Sequence, residues 1–363
     1  MEDRKPDGKL RRGWTTGACA TAATAAAFRA LLSGVFPRRV SIALPRGDTV
    51  EFELATCECD EIHATASVIK DAGDDPDVTH GAEITADVCI GTTGSGVTFK
   101  AGPGVGTVTL PGLLLGVGEP AINPVPRKMM EIAVREIAAE FDVVGDLEIT
   151  ISVANGEALA KKTMNGRLGI VGGLSILGTT GIVIPFSCSS WIHSIHRGVD
   201  VAKAGGITHI AAATGSTSEA AVKLMLGLSE QALIDMGDFA GGLIKYLRKN
   251  PIEQLTLAGG FGKLAKLAQG HLDLHSSRSE LDLAKLATMA KEAGGDDALV
   301  ASVKTANTGL QALNLSQSAG IPLADRVALG AREVARAALA GGTNVNVLVF
   351  DRQGKLVGRS NDR

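Results

Sequence analysis

Aromatic residues are scarce, 3% of 363 positions. A chain this poor in Phe, Trp and Tyr cannot build rows of stacking rings, which argues against single-strand nucleic-acid binding of that kind. An excess of one charge is also missing. The formal net charge is −3, so there is no global basic field for nucleic acid or a membrane surface, and neither partner is expected. Any anionic ligand has to be held by local groups. Cysteine is sparse: Cys19, Cys57, Cys59, Cys89 and Cys188. An odd count without a dense framework points to reduced thiols and a cytoplasmic location. Cys57 and Cys59 lack the CxxC spacing of a zinc knuckle, and no protein metal site is expected. The opening MEDRKPDGKLRRGW carries charges with no apolar core behind them, unlike a secretory signal. Several motifs are absent too. There is no GxGxxG, no GxSxG, and Lys263 within GGFGK lacks the full GxxxxGK[ST] spacing. These absences weigh against hydrolase and phosphoryl-transfer readings.

Charge is also missing locally, since no Asp, Glu, Lys or Arg occurs from Leu168 to His196. The run Asn165–Pro185, NGRLGIVGGLSILGTTGIVIP, is long enough to be tested as a membrane span. Gly169, Gly172, Gly173, Gly178, Gly181 and Pro185 argue against one, because glycine and proline break helices. The expectation is a buried strand over Leu168–Val171, a glycine turn, and a second buried strand over Ile182–Ile184.

What is present has two grammars. Thr15–Ser33 predicts an Ala-rich helix, capped by Thr15 or Thr16 and ended by Gly34. VSIALP and VEFELA flank a Gly47-Asp48 turn and predict a hairpin. Further strands are expected at His63–Lys70, Ile84–Ile90 and Leu147–Val153, with a helix over about Arg127–Phe141. The loop Lys70–Gly81 gathers Asp71, Asp74, Asp75, Asp77 and His80, but lacks the ligand periodicity of an EF-hand. It reads as an Asx-type turn, with a cation site as the alternative. From His209 onward strand and helix alternate: HIAAAT, ALIDM and QLTLAGG are each followed by a glycine-bearing loop and a helix. That alternation predicts a mainly parallel sheet. The expected class is therefore α/β: an α+β region over 1–155, an α/β cofactor-binding region over 156–345, and a C-terminal hairpin over 346–363 that would complete either sheet.

Ligands of such sheets sit beyond the carboxyl ends of the strands. The cofactor candidates are accordingly Gly215, Ser216, Thr217 and Glu219, then Gly237 and Asp238, then Gly259 and Gly260. Asp238 or Glu219 would hold ribose hydroxyls. His193 and His196 lie three apart on an expected helix without a matching third ligand. His271 and His275 sit in a polar loop with Arg278, where general acid–base work is possible.

Six motifs occur in order: WTTGACA (Trp14–Ala20), KDAGDDPDVTHG (Lys70–Gly81), GPGVGTVTLPGL (Gly102–Leu113), GEPAINPVPR (Gly118–Arg127), NGRLGIVGGLSILGTTGIV (Asn165–Val183) and AGGFGKLAKLAQG (Ala258–Gly270). Through them almost the whole chain resembles the CbiD family of cobalt-precorrin-5B C(1)-methyltransferases. The chain has Gly260 where the family pattern has histidine, so no side chain acts there. The resemblance implies methyl transfer from S-adenosylmethionine to ring carbon 1 of cobalt-precorrin-5B, giving cobalt-precorrin-6A, in anaerobic cobalamin biosynthesis. The substrate would bring its own cobalt and several carboxylates. Thr15, Thr16, Arg127, Lys128, Arg167 and Lys263 are substrate-binding candidates by their motif positions, with the 1–155 region making the corrinoid contacts. Asp75, His80 and His271 are the candidates for catalytic proton handling. A nucleotide-dependent enzyme and a non-catalytic tetrapyrrole scaffold remain as rival readings, and self-association is left open.

Overall fold

The structure, a computed structural model, describes residue 8 and residues 10–360. The chain divides into two compact units, Met1–Ser187 and Cys188–Arg363.

The first unit is built on helix α1 (Thr16–Ser33), which begins where Thr15 Oγ1 accepts from the Ala18 N–H and ends at left-handed Gly34. Fourteen of its residues are buried, because alanine and threonine let neighbours approach on nearly every side. Strands β1 (Arg39–Ala43) and β2 (Thr49–Glu53) form the expected antiparallel hairpin. Strands β3 (Cys57–Cys59), β4 (His63–Ile69), β5 (Glu83–Ile90) and β6 (Val97–Ala101) follow, then helix α2 (Pro124–Glu140) and strand β7 (Leu147–Val153). Pro124 and Pro126 lie in the first turn of α2 rather than in a loop before it; that position tolerates the missing N–H. The sheet order is β3-β4-β5-β7-β6, antiparallel except for the parallel pair of β7 with β6. Leu147, Ile149, Ile151 and Val153 alternate inward and pack with α1 and α2 in one core.

The charge-free stretch does not form the two buried strands expected of it. Ile170–Val171 pairs with Thr107–Val108, Gly173–Leu174 with Gly104–Val105, and Ile182–Val183 with Gly13–Trp14. Val171 and Ile184 are 60% and 54% exposed. Left-handed glycines at 169, 172 and 181 turn the chain between these two-residue ladders, so no strand can extend. The stretch lies wholly within the first unit, which continues past residue 155 to Ser187.

The second unit contains helix α3 (Cys188–Ala204), strand β8 (His209–Ala213), helix α4 (Ser216–Leu226), strand β9 (Leu233–Asp235), helix α5 (Ala240–Lys249), strand β10 (Gln254–Gly260) and helix α6 (Phe261–Ala268). Helices α7 (Leu283–Glu292), α8 (Asp297–Lys304), α9 (Gly309–Ser318) and α10 (Leu323–Leu339) precede strands β11 (Asn344–Phe350) and β12 (Leu356–Arg359). The sheet order is β9-β8-β10-β11-β12, with the first four parallel and β12 antiparallel at the edge. The C-terminal segment thus belongs to this sheet. Its two strands form the expected antiparallel hairpin about Gln353-Gly354, and the first of them also pairs in parallel with β10. Val222 of α4 packs with Ala211, Ala213 and Ala258 on one face. The opposite face carries α3, α5, α6, α7 and α10 through Ile195, Leu243, Leu264, Leu286 and Val327. The chain leaves β8 toward β9 over one face and returns toward β10 over the other. Between β8 and β10 the winding reverses, and a crevice opens at their carboxyl ends.

Candidate active site

A cleft of about 620 Å³ lies at that reversal. Its walls come from Thr214–Ser218 after β8, Gly260–Lys263 after β10, Thr308–Leu310 with Leu313 around the start of α9, and Phe350–Arg352 after β11. Gly215 and Gly260 occupy the N-cap positions of α4 and α6, and neither helix has a side-chain cap. The first-turn N–H groups of α4 and α6 therefore lack the side-chain acceptor that usually serves them, at the loops that line the cleft. A Cβ added at Gly215, Gly260 or Gly262 would meet nothing within 4 Å. Phe261, Leu310, Leu313 and Phe350 supply an apolar side, and Ser216, Thr217, Lys263, Asp351 and Arg352 a polar one.

Gly215, Ser216, Thr217 and Gly260 of the cofactor candidates line this cleft. The others stand around it in different roles. A Cβ at Gly259 would lie 2.7 Å from Thr214 Oγ1, so this glycine serves close packing behind the loop. Glu219 donates its N–H to the Gly215 carbonyl. Gly237, at φ 51°, lies against the Trp191 ring. Asp238 is in charge contact with Lys263 at 3.0 Å. Lys263 also donates to the Thr214 carbonyl at 2.9 Å. His271 donates its N–H to the Lys266 carbonyl and closes the end of α6. The contributions of Thr308–Leu313 and Phe350–Arg352 were not read from sequence. NVNVLVF followed by Asp351 carries the same strand-then-polar-turn signal as the other three strands, but its partner strand β10 is remote in the chain.

The remaining candidates are in the first unit. Thr15 caps α1, and the Thr16 hydroxyl donates to the Leu177 carbonyl while accepting from the Leu177 N–H at 2.8 Å. Arg127 donates to the carbonyls of Ile122 and Pro120, pairs with Glu119 at 2.8 Å, and lies over the Phe99 ring. Its guanidinium is thus engaged within the chain. Arg167 stands in the turn between Asn165, whose Nδ2 donates to the Gly173 carbonyl, and the Ile170–Val171 ladder. Lys128 is the next residue of α2 after Arg127.

The acidic loop is a clasp. Asp71 receives the Arg11 guanidinium, and Asp74 Oδ2 accepts from the Arg11 N–H at 2.6 Å. Asp75 Oδ1 accepts from Phe186 N–H at 2.7 Å, holding that residue at φ 56°. Asp77 bonds Lys70 at 2.6 Å and the Thr79 hydroxyl and N–H. His80 Nδ1 accepts from the Ala72 N–H at 3.1 Å, which puts the proton of the neutral ring on Nε2. The loop fixes its neighbours as an Asx turn does. Among the described residues no group of three or more His, Cys, Asp and Glu is arranged to hold a metal ion.

Residues 3–185 match CbiD, and residues 273–361 match the CbiD C-terminal domain. The chain belongs to the CbiD family. The curated CbiD relative from Agrobacterium fabrum, named cobalt-precorrin-5B C(1)-methyltransferase, is 58% identical over 98% of this chain and 94% of its own. A relative of the same name from Paramagnetospirillum magneticum is 57% identical over 96% of this chain and 98% of its own. One from Burkholderia thailandensis is 56% identical over 99% of both. A crystal structure of the cobalamin biosynthesis protein cbiD from Archaeoglobus fulgidus matches with 30% identity, covering 75% of this chain and 84% of that one, at a TM-score of 0.41. The resemblance drawn from the six motifs thus holds for the family. Both matched CbiD regions have their own place in the fold: the first ends two residues before the boundary between the units, and the second takes in helices α7 to α10 and strands β11 and β12 of the second unit. No helix among the described residues is long and apolar enough to cross a membrane.

Proposed function

We propose that the chain is a cytoplasmic cobalt-precorrin-5B C(1)-methyltransferase of cobalamin biosynthesis that uses S-adenosylmethionine. The observation that carries the activity is the near-full-length identity of 56–58% to relatives bearing that name. Five free thiols fit a reducing compartment.

The donor site is proposed at the second-unit cleft. Its volume of about 620 Å³ falls within the range of small-molecule sites. The first-turn N–H groups of α4 and α6 would hold the donor carboxylate. Ser216 and Thr217 would meet hydroxyl groups, and Phe261, Leu310, Leu313 and Phe350 would cover an apolar ring. When bound, the donor supplies an electrophilic methyl group on a sulfonium. The residues around it need to fix direction and exclude water, and orientation supplies most of the rate in such a transfer. The corrinoid is proposed to contact the first unit, where Thr15 and Thr16 shape the glycine-rich stretch rather than grip the substrate directly. Asp75 and His80 support that unit through the clasp. His271 is retained as a candidate for proton handling in the second unit.

The test is calorimetric titration of the full chain with S-adenosylmethionine and S-adenosylhomocysteine, followed by transfer of a labelled methyl to cobalt-precorrin-5B. Micromolar binding and labelled product are expected. Labelled product without any effect of substitutions at Ser216, Thr217 and Gly260 would keep the activity and move the donor elsewhere.

A further inference from the structure

Lys263 is the side chain on which three strand-end loops converge. It belongs to α6, after β10. Its ammonium donates to the Thr214 carbonyl at the end of β8 at 2.9 Å and stands 3.0 Å from Asp238 Oδ1 beyond β9. That carboxylate oxygen is buried and has no hydrogen bond. The lysine is in charge contact with it but out of line for one. Lys263 is therefore the charge partner of an oxygen that water does not reach. The main chain around it is already drawn tight: Met236 donates to the Ala213 carbonyl, Thr214 to Ala258, and Leu274 to Asp238. The side chain remains 40% exposed and also lines the cleft.

We infer that Lys263 is a positioning residue for the methyl donor, setting the distance between the Thr214–Ser218 loop and the Gly260–Lys263 turn by compensating Asp238. This rests on the reading of the cleft as the donor site. It assigns Lys263 to the donor half of the reaction rather than to the corrinoid carboxylates. It also assigns Asp238 to charge balance with Lys263 rather than to a ribose. A carboxylate stripped of its cation recruits water or swings outward, and either opens the cleft.

The experiment is calorimetry of the full chain with S-adenosylmethionine for wild type, Lys263→Met, Lys263→Arg and Lys263→Met/Asp238→Asn, with thermal midpoints alongside. Lys263→Met is expected to weaken donor binding at least about tenfold. In turnover the loss should fall on KM for the donor, with KM for the corrinoid unchanged. The double variant has no uncompensated charge and is expected to recover most of the loss. A double variant as weak as Lys263→Met would mean direct contact with the donor and would overturn the positioning role. Wild-type affinity in Lys263→Met overturns it as well. If wild type itself takes up no S-adenosylmethionine, with or without the corrinoid, the donor-site reading falls first and the inference with it.

Discussion

The Lys70 ammonium, with 1% of its side chain exposed, stands 2.6 Å from Asp77 Oδ2. Burial pushes the Asp77 carboxyl up, but the Lys70 charge and the bonds from Lys70 and Thr79 outweigh it and hold the group below the usual carboxylate range. The two partners are unequal, because Asp77 retains a quarter of its exposure. Asp77→Ala leaves a buried cation without a partner and is expected to cost about 3–5 kcal/mol. Lys70→Met, which frees a carboxylate able to reach water, is expected to cost less. Urea unfolding of the two variants gives the order directly.

Arg11 hydrogen-bonds Asp71 and holds its carboxyl down at about 2. In the unfolded chain an aspartate titrates near 3.9. A depressed acid contributes stability that is present above the unfolded value and lost as pH falls toward the folded one. Between about pH 4 and pH 2 the wild-type urea midpoint should therefore fall as Asp71 takes up its proton. In Arg11→Met this part of the decline should be smaller, in a pH series of otherwise identical unfolding curves.

Gly13 has no room for a side chain, since an added Cβ would lie 2.0 Å from the Ala72 carbonyl carbon. Gly166 has open space around it and no left-handed φ. Gly13→Ala must push the Arg11–Trp14 segment off the acidic loop and is expected to cost about 2–4 kcal/mol. Gly166→Ala should stay within about 0.5 kcal/mol. Paired thermal melts compare the two, and equal costs would refute the close approach.

Gly260 combines an ordinary backbone, φ −70° and ψ 151°, with empty space beyond its Cα. Gly260→Leu is expected to fold with an unchanged thermal midpoint while obstructing the cleft. Donor affinity should drop at least about tenfold, a loss of roughly 1.4 kcal/mol or more. Equilibrium dialysis against S-adenosylmethionine measures it, and full affinity in this variant would remove the cleft from the donor site.

Cys19 is wholly buried in α1, and burial pushes its thiol up to about 12. Cys57 and Cys59 are exposed. Iodoacetamide at neutral pH should label Cys59 and Cys57 within the time that leaves Cys19 unmodified. Peptide mass spectrometry reads the order, and labelling at Cys19 ahead of either would indicate that α1 opens in the native protein.

The legible parts of the chain were those where local chemistry and final structure agree. Thr15 and Gly34 delimit α1 because a capping hydroxyl and a left-handed glycine act within one turn. The parallel strands of the second unit were readable from short apolar runs ending in glycine loops. Gly215, Ser216, Thr217 and Gly260 were picked from those loops, and the structure gathers them along one cleft. The stretch Asn165–Pro185 was not legible, because its pairing partners lie at Gly13–Trp14 and Gly104–Val108 and its ladders last only two residues. Nor was the engagement of Arg127 and Lys263. A cation in a motif looks the same whether it meets a substrate carboxylate or a carbonyl of its own chain.

Gly13–Trp14 is paired with Ile182–Val183, and Asp75 bonds Phe186. Gly13–Trp14, near the start of the described residues, is therefore paired with a segment near the end of the unit. On a ribosome that emits the N-terminus first, Gly13–Trp14 must wait for its strand partner until some 170 further residues have been made, although Arg11 can meet Asp71 and Asp74 earlier. Closing contacts of such long range are slow to form. A nascent chain stalled before Ile182 would carry α1 and all five strands of the sheet, with Gly13–Trp14 still lacking its partner strand. The glycine-rich ladder is thus also the step that completes the unit during synthesis.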